Sequence, residues 1–280
     1  MKLGMLTGEL RRATAEELFA AVEGLGFSEV QLELEPLLGQ PAGGMDSDAA
    51  LRQVAERARA HGVAVTAVGG TYNMIHPDAE LRQRASQHLT RAAIGAVALD
   101  CPLVTLCTGT RNTGSMWRWH DDNLLPAAWD DLLRSMEAAL EVAERHDLLL
   151  GIETEASNVV NTPEKTRRLL DTFATPRLKV IMDVANLFQA GEAHPANVRS
   201  IIDRGMDLLG ADIQIAHGKD ILEGDGLAFT HAGNGIIDWA YFAQRLREVG
   251  YTGGMLVHGI KDEGYFPGVV AYMRGILQGL

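Results

Sequence analysis

Four apolar runs in the second half of the chain each end in a residue type that binds metal ions. They are LLLGIE ending at Glu153, LKVIMD at Asp183, ADIQIAH at His217 and GGMLVH at His258. A carboxylate or imidazole at the end of a buried strand is costly to desolvate unless something pairs with it. Any one of the four reads equally as a charged or capping residue at a strand end. Four of them, each roughly one strand-plus-helix unit from the next, argue that a single cation serves all. Two carboxylates and two imidazoles suit Mn²⁺ first, with Co²⁺, Zn²⁺ and Fe²⁺ as close alternatives. Mg²⁺ fits less well because it prefers oxygen ligands and retained waters.

Neighbouring residues extend the set. Glu155 has the parity of Glu153 and is a rival ligand or a surface carboxylate. Asn186, three residues after Asp183, either hydrogen-bonds a substrate oxygen or caps a turn. In His217-Gly218-Lys219-Asp220, Lys219 either holds a carboxylate, phosphate or enolate oxygen or pairs with Asp220. Asn73 and His76 follow another apolar run and either reach the site or cap the next helix. His231, in the glycine-rich THAGNG, reads as a loop residue. His61, His88, His146 and His194 fall in or beside helices and read as surface or structural.

The elements that must position these groups alternate along the chain. Strand-type runs occur at 2–7, 29–35, 63–70, 102–108, 148–154, 178–184, 211–217 and 253–260, with helical patterns between them. Thr14 with Glu17 forms a capping-box pattern, and Thr162-Pro163 places an N-cap before a proline at the first helical position. Such β-then-α repetition predicts a parallel sheet with crossover helices, and eight units predict a closed (β/α)8 TIM barrel as a single α/β domain over residues 1–280. A doubly wound open sheet is the alternative. It usually carries a glycine-rich phosphate loop after the first strand, where this chain has Thr7-Gly8-Glu9-Leu10-Arg11. Two loops exceed what a barrel needs, 36–47 and 109–125, both on the face where barrel active sites are built. The second holds Arg111, Trp117, Arg118, Trp119 and His120.

Composition narrows the function classes. A net charge of −12 and no basic stripe argue against nucleic acid or anionic membrane as a partner. Cys101 and Cys107 flank or lie in the apolar run PLVTLC and read as buried free thiols. The N-terminus has no signal-peptide pattern and no apolar stretch is long enough to span a bilayer, so a cytoplasmic protein is the expectation.

The chain resembles the sugar phosphate isomerases/epimerases of the xylose isomerase-like TIM-barrel superfamily over essentially its whole length. The resemblance rests on GIETEASNVVNTPEK (151–165), VIMDVANLF (180–188), AHGKD (216–220) and AGNGIIDWAYFAQRLREVGYTGGMLVHG (232–259). It implies one divalent metal on Glu153, Asp183, His217 and His258, a small sugar or sugar-like substrate, and a homodimer or homotetramer. The family's usual fourth ligand is a glutamate, which is His258 here. The strand-five and strand-eight glutamates form the family's usual proton-transfer pair. The histidine that epimerases commonly carry three residues after the aspartate is Asn186 here, and the arginine some carry after the strand-seven ligand has no counterpart.

The expected reaction is proton abstraction beside a carbonyl, with an enediolate stabilised by the cation. Glu153 is the expected base. His258, or His120 from the long loop, is the expected acid on the other face. Asn73, His120, Asn186 and Lys219 are the expected substrate contacts, and Trp117 and Trp119 either cover the sugar or pack under the loop. The rival readings are a dehydratase on the same scaffold acting on a keto-inositol or dehydroshikimate-like substrate, an endonuclease IV-type enzyme, and a non-catalytic sugar-binding barrel. Few ligands and an acidic surface oppose the endonuclease.

Overall fold

The apolar runs form strands in a computed structural model, which describes residues 1–39 and 46–279. The elements are β1 (Leu3–Leu6), α1 (Ala15–Gly24), β2 (Glu29–Leu32), α2 (Leu34–Leu38), α3 (Asp48–Ala60), β3 (Ala64–Gly69), α4 (Ala79–Ala98), β4 (Leu103–Cys107) and α5 (Pro126–Arg145). They continue with β5 (Leu149–Glu153), α6 (Pro163–Phe173), β6 (Leu178–Asp183), α7 (Val198–Leu209), β7 (Ile213–Ile221), β8 (Phe229–His231), α8 (Trp239–Glu248), β9 (Met255–Val257) and α9 (Phe266–Gln278). Strands β1 to β7 pair in parallel in chain order, and β9 pairs with both β7 and β1. The ring therefore closes into an eight-stranded parallel barrel surrounded by helices, as the alternation requires.

The helix starts follow local chemistry. The Thr14 hydroxyl accepts from Glu17 N at 3.2 Å, and the Thr162 hydroxyl from Lys165 N at 3.3 Å with Pro163 leading α6. Each satisfies one backbone donor that a helix start leaves without a partner. Outside the barrel, Phe19, Phe242, Trp239 and Phe266 are fully buried between sheet and helices. Inside it lies a smaller apolar layer of Ala67, Leu103, Ile181, Ile215 and Leu256. Side chains alternate along a strand, so positions two residues further on share the same inward face. Ile181 is followed inward by Asp183, Ile215 by His217 and Leu256 by His258. The apolar layer is thus the floor, and the ligand-type residues stand one layer above it.

Three departures from the sequence expectation have local causes. The run 29–35 does not stay extended: β2 ends at Leu32 and the chain turns into α2. The strand expected to end at His217 runs on to Ile221, where β8 pairs with it antiparallel, Lys219 opposite His231. The first two residues of THAGNG therefore belong to a strand outside the ring, while GGMLVHGI supplies the eighth barrel strand, β9. Of the long loop expected at 36–47, residues 40–45 lie outside the described residues; beside them, Arg91 and Asp46 form a buried ion pair at 2.7 Å.

The loop at 109–125 is pinned rather than loose. Asn123 Oδ1 accepts from Arg111 N at 2.7 Å, and the Arg111 guanidinium donates to Ile75 O and Ala127 O and pairs with Asp131. Both cysteines are buried and unpaired with each other. No helix among the described residues is long and apolar enough to cross a membrane.

Candidate metal centre and active site

Register brings the four ligand-type residues to one place. Asp183 pairs with His217 across β6 and β7, and His217 with Leu256 across β7 and β9, two residues before His258. Glu153 closes β5 beside Ile181. One ligand atom from each of Glu153, Asp183, His217 and His258 lies within 4.8 Å of the others, a group that could hold a divalent metal.

The hydrogen bonds around this group are incomplete in an informative way. His217 is fully buried, and its Nε2 lies 3.2 Å from Gln31 Oε1. A carbonyl oxygen only accepts, so Nε2 carries a hydrogen, which in the neutral imidazole leaves the lone pair on Nδ1. That Nδ1 is buried with no hydrogen-bond partner among the described residues, and Glu153 Oε1 stands 3.5 Å from it. In that form the lone pair facing a carboxylate oxygen in a buried site is repulsive, and a divalent ion held by Glu153, Asp183, His217 and His258 would relieve it, so the donor set fits such an ion. Gln31 is then the outer partner that fixes the imidazole tautomer.

The carboxylates are held from the other side by Lys219. Its ammonium lies 3.0 Å from Asp183 Oδ2 and 2.6 Å from Asn186 Oδ1, and packs 4.2 Å from the Phe229 ring centroid. Asn186 Nδ2 in turn donates to Glu153 Oε1 at 2.9 Å, so Asn186 bridges Lys219 and Glu153. His258 Nε2 lies 2.9 Å from Asp183 Oδ2, and Asp183 Oδ1 accepts from Ala185 N. Burial opposes ionisation of Asp183, but the Lys219 ammonium and the His258 imidazole outweigh it and hold the carboxyl well below the usual range. Burial likewise opposes the charge on Lys219, and Asp183, Glu155 and Glu153 reverse the balance and raise its pKa. The other carboxylate oxygen, Glu153 Oε2, accepts from the Cys107 thiol at 3.8 Å.

The group opens into a cavity of about 990 Å³ lined by Gln31, Glu33, Glu153, Glu155, Lys219 and His258, among others, with Trp117 at its rim. Burial raises the pKa of Glu155, opposed by Lys219, and its carboxylate accepts from Ser157. Burial also pushes Glu33 up to about 6. His88 on α4 reaches the same cavity, although its helical position reads as structural in the sequence.

The other expected contacts sit elsewhere. Asn73 Oδ1 accepts from Thr110 N and Ile75 N while its Nδ2 donates to Thr110 O, so its amide ties two loops together. His120 begins the turn Asp121–Leu124, its Nδ1 accepts from Asp122 N at 3.2 Å, and it does not line the cavity. His76 accepts from Asp78 N. Trp119 Nε1 donates to Asp121. Lys219 does not pair with Asp220, because successive strand residues point to opposite faces. Asp220 lies on the outer face and accepts from Ile221 N, Gly233 N, Ile237 N and Trp239 Nε1 at 2.9–3.0 Å.

Glu33 was not singled out by sequence reasoning. It lies within the alternating run EVQLELE (29–35), and Gln31 and Glu33 share one parity. That was the available signal.

The fold and this geometry can be set beside known proteins. The family model described as "xylose isomerase-like TIM barrel" matches residues 19–276, so the chain belongs to that family. No curated protein matches the chain by sequence. Among solved structures it is similar to a D-tagatose 3-epimerase-like protein, with 17% identity, TM-score 0.76, and coverage of 99% of this chain and 97% of that one. It is also similar to the 3-keto-D-glucoside 4-epimerase YcjR of E. coli, at 18% identity, TM-score 0.74, and 98% and 99% coverage. The IOLI protein with a bound zinc atom gives 14% identity, TM-score 0.74, and 100% and 99% coverage. At these identities the likeness is one of fold.

Proposed function

We propose that this member of the xylose isomerase-like TIM-barrel family is a divalent-metal-dependent isomerase or epimerase of a small sugar or sugar-like hydroxy-carbonyl compound. The observation that carries the reading is the buried, unpartnered Nδ1 of His217, facing Glu153 and grouped with Asp183 and His258 at the floor of an open cavity. Structural neighbours named as D-tagatose 3-epimerase-like, D-psicose 3-epimerase and 3-keto-D-glucoside 4-epimerase support the substrate class.

Glu153, Asp183, His217 and His258 hold the ion, Mn²⁺ first among the ions that suit this set. When bound, it supplies Lewis-acid polarisation of a substrate carbonyl. The remaining work falls to side chains. Glu153 takes the proton beside the carbonyl through Oε2, which meets the weak Cys107 thiol donor, while Oε1 is fixed by Asn186. Lys219, charged and held by Asp183 and Asn186, stabilises negative charge developing on the substrate oxygen. Trp117 at the rim covers an apolar sugar face and limits water access.

The test uses Mn²⁺-loaded protein in deuterated water with D-tagatose, D-psicose and D-fructose. Wild type is expected to place deuterium beside the carbonyl of at least one of these. Glu153→Gln is expected to slow that exchange by roughly 10²–10⁴-fold, the usual worth of a general base. Unchanged exchange in Glu153→Gln removes the base assignment.

A further inference from the structure

We infer that Glu33 is the acid–base group on the substrate face opposite Glu153, a role that rests on the proposed epimerase reading. The chain lacks a carboxylate at the end of β9, where His258 stands, and His258 Nε2 is engaged by Asp183. A proton delivered to the second face must come from another group lining the cavity. Glu33 follows β2, three strands round the ring from β5, and lines the same cavity as Glu153.

Three features show that its position is built. Glu33 N donates to the Thr7 hydroxyl at 3.0 Å, which fixes the backbone where β2 turns into α2. Gln31 Nε2 lies 3.5 Å from Glu33 Oε1 while Gln31 Oε1 meets His217 Nε2, so one amide links Glu33 to the metal-ligand group. The space occupied by the carboxylate exists because residue 69 is glycine. A Cβ there would fall 2.2 Å and 2.3 Å from the two Glu33 oxygens, and the nearest atoms are all of the Glu33 carboxyl. Burial, opposed by the Gln31 amide and reinforced by Glu35, pushes Glu33 up to about 6, so it exchanges protons readily near neutrality.

In the forward direction Glu153 carboxylate removes the C–H proton from one face, leaving the electron pair in the enediolate. Protonated Glu33 gives its proton to the same carbon from the other face and becomes carboxylate. The epimer leaves, and solvent returns Glu153 and Glu33 to their starting forms. The net proton count is unchanged.

The roles of the two faces separate in one experiment on the Mn²⁺-loaded full chain with the same three ketoses. With the epimer whose C–H faces Glu153, Glu33→Gln is expected to keep deuterium exchange within about threefold of wild type while epimer formation falls by about 10²-fold or more; with the opposite epimer, both are expected to fall. Gly69→Ala, which displaces the Glu33 carboxyl through the tip of a flexible side chain, is expected to show the same split. Metal content, measured directly, is expected to match wild type in both variants. Epimer formation at the wild-type rate in Glu33→Gln overturns the role of Glu33 alone. Loss of exchange from both members of an epimer pair, with metal loading intact, also overturns it, because that pattern marks a group needed for proton transfer on the Glu153 face as well. A wild type that exchanges no deuterium with any ketose overturns the parent reading, and Glu33 with it.

Discussion

The two faces of the barrel wall at β7 meet buried acids that differ in one respect: whether the chain completes them. On the outer face, Asp220 is fully buried and accepts four N–H groups, from Ile221, Gly233, Ile237 and Trp239. The loop from Gly233 to Asp238 wraps this carboxylate so closely that a Cβ at Gly235 would lie 2.2 Å from Asp220 Oδ1. On the inner face, Asp183 is held by Lys219 and His258 and Glu153 by Asn186, and His217 Nδ1 has no hydrogen-bond partner among the described residues. A finished network is architecture. An unfinished one, across the same strand on the barrel's inner side, marks where something from outside the chain belongs.

The strongest way to break this contrast is at the outer face. Asp220→Ala leaves four N–H donors with no acceptor, each worth roughly 1–3 kcal/mol when buried. A loss of at least about 4 kcal/mol in urea unfolding is expected, with the 233–238 loop released. A loss below about 1 kcal/mol would show that Asp220 does not hold that loop.

The inner face should respond to ions instead. Mn²⁺ or Zn²⁺ at a hundred times its Kd is expected to raise wild-type stability by about 2.7 kcal/mol, because only the folded chain assembles the four ligands. In Asp183→Asn the neutral amide binds the ion poorly, and the rise is expected to vanish over the same concentration range. An equal rise in the variant would place the ion elsewhere.

The same contrast separates what was legible in the sequence from what was not. Glu153, Asp183, His217 and His258 were legible because each breaks an apolar run at its end, and a parallel barrel gathers strand ends at one mouth. Lys219 was legible as a cation near them, but its partner was not: alternation sends Asp220 outward, so the adjacent acid is the one Lys219 cannot reach. Residues 233–239, within the block that carries the family resemblance, bind Asp220 through Gly233 N, Ile237 N and Trp239 Nε1, a long-range bond pattern that no local period encodes. Strand β8 escaped notice because three residues, Phe229–His231, carry too little periodicity to read. Glu33 escaped because the run EVQLELE looks extended to its end, whereas Leu34–Leu38 turns helical and leaves Glu33 at the mouth.

Glu33 supplies the finest test, because its inner-face burial carries a cost that an outer-face acid like Asp220 avoids through its four donors. Its pKa rises from the ordinary 4.5 to about 6, chiefly through desolvation. A carboxyl whose folded pKa is raised favours the folded state fully below pH 4.5 and loses that contribution as pH rises through about 6. Glu33→Gln removes the ionisation and keeps an oxygen for the Gln31 amide. The variant is therefore expected to be more stable than wild type at pH 8, by at most about 2 kcal/mol, and indistinguishable from it near pH 4. Denaturant unfolding at the two pH values measures the difference. A variant that gains stability while losing epimer formation would show an acid kept in place for chemistry at the expense of the fold. A variant that loses stability at both pH values would make Glu33 a structural partner of Gln31, completed by the chain as Asp220 is.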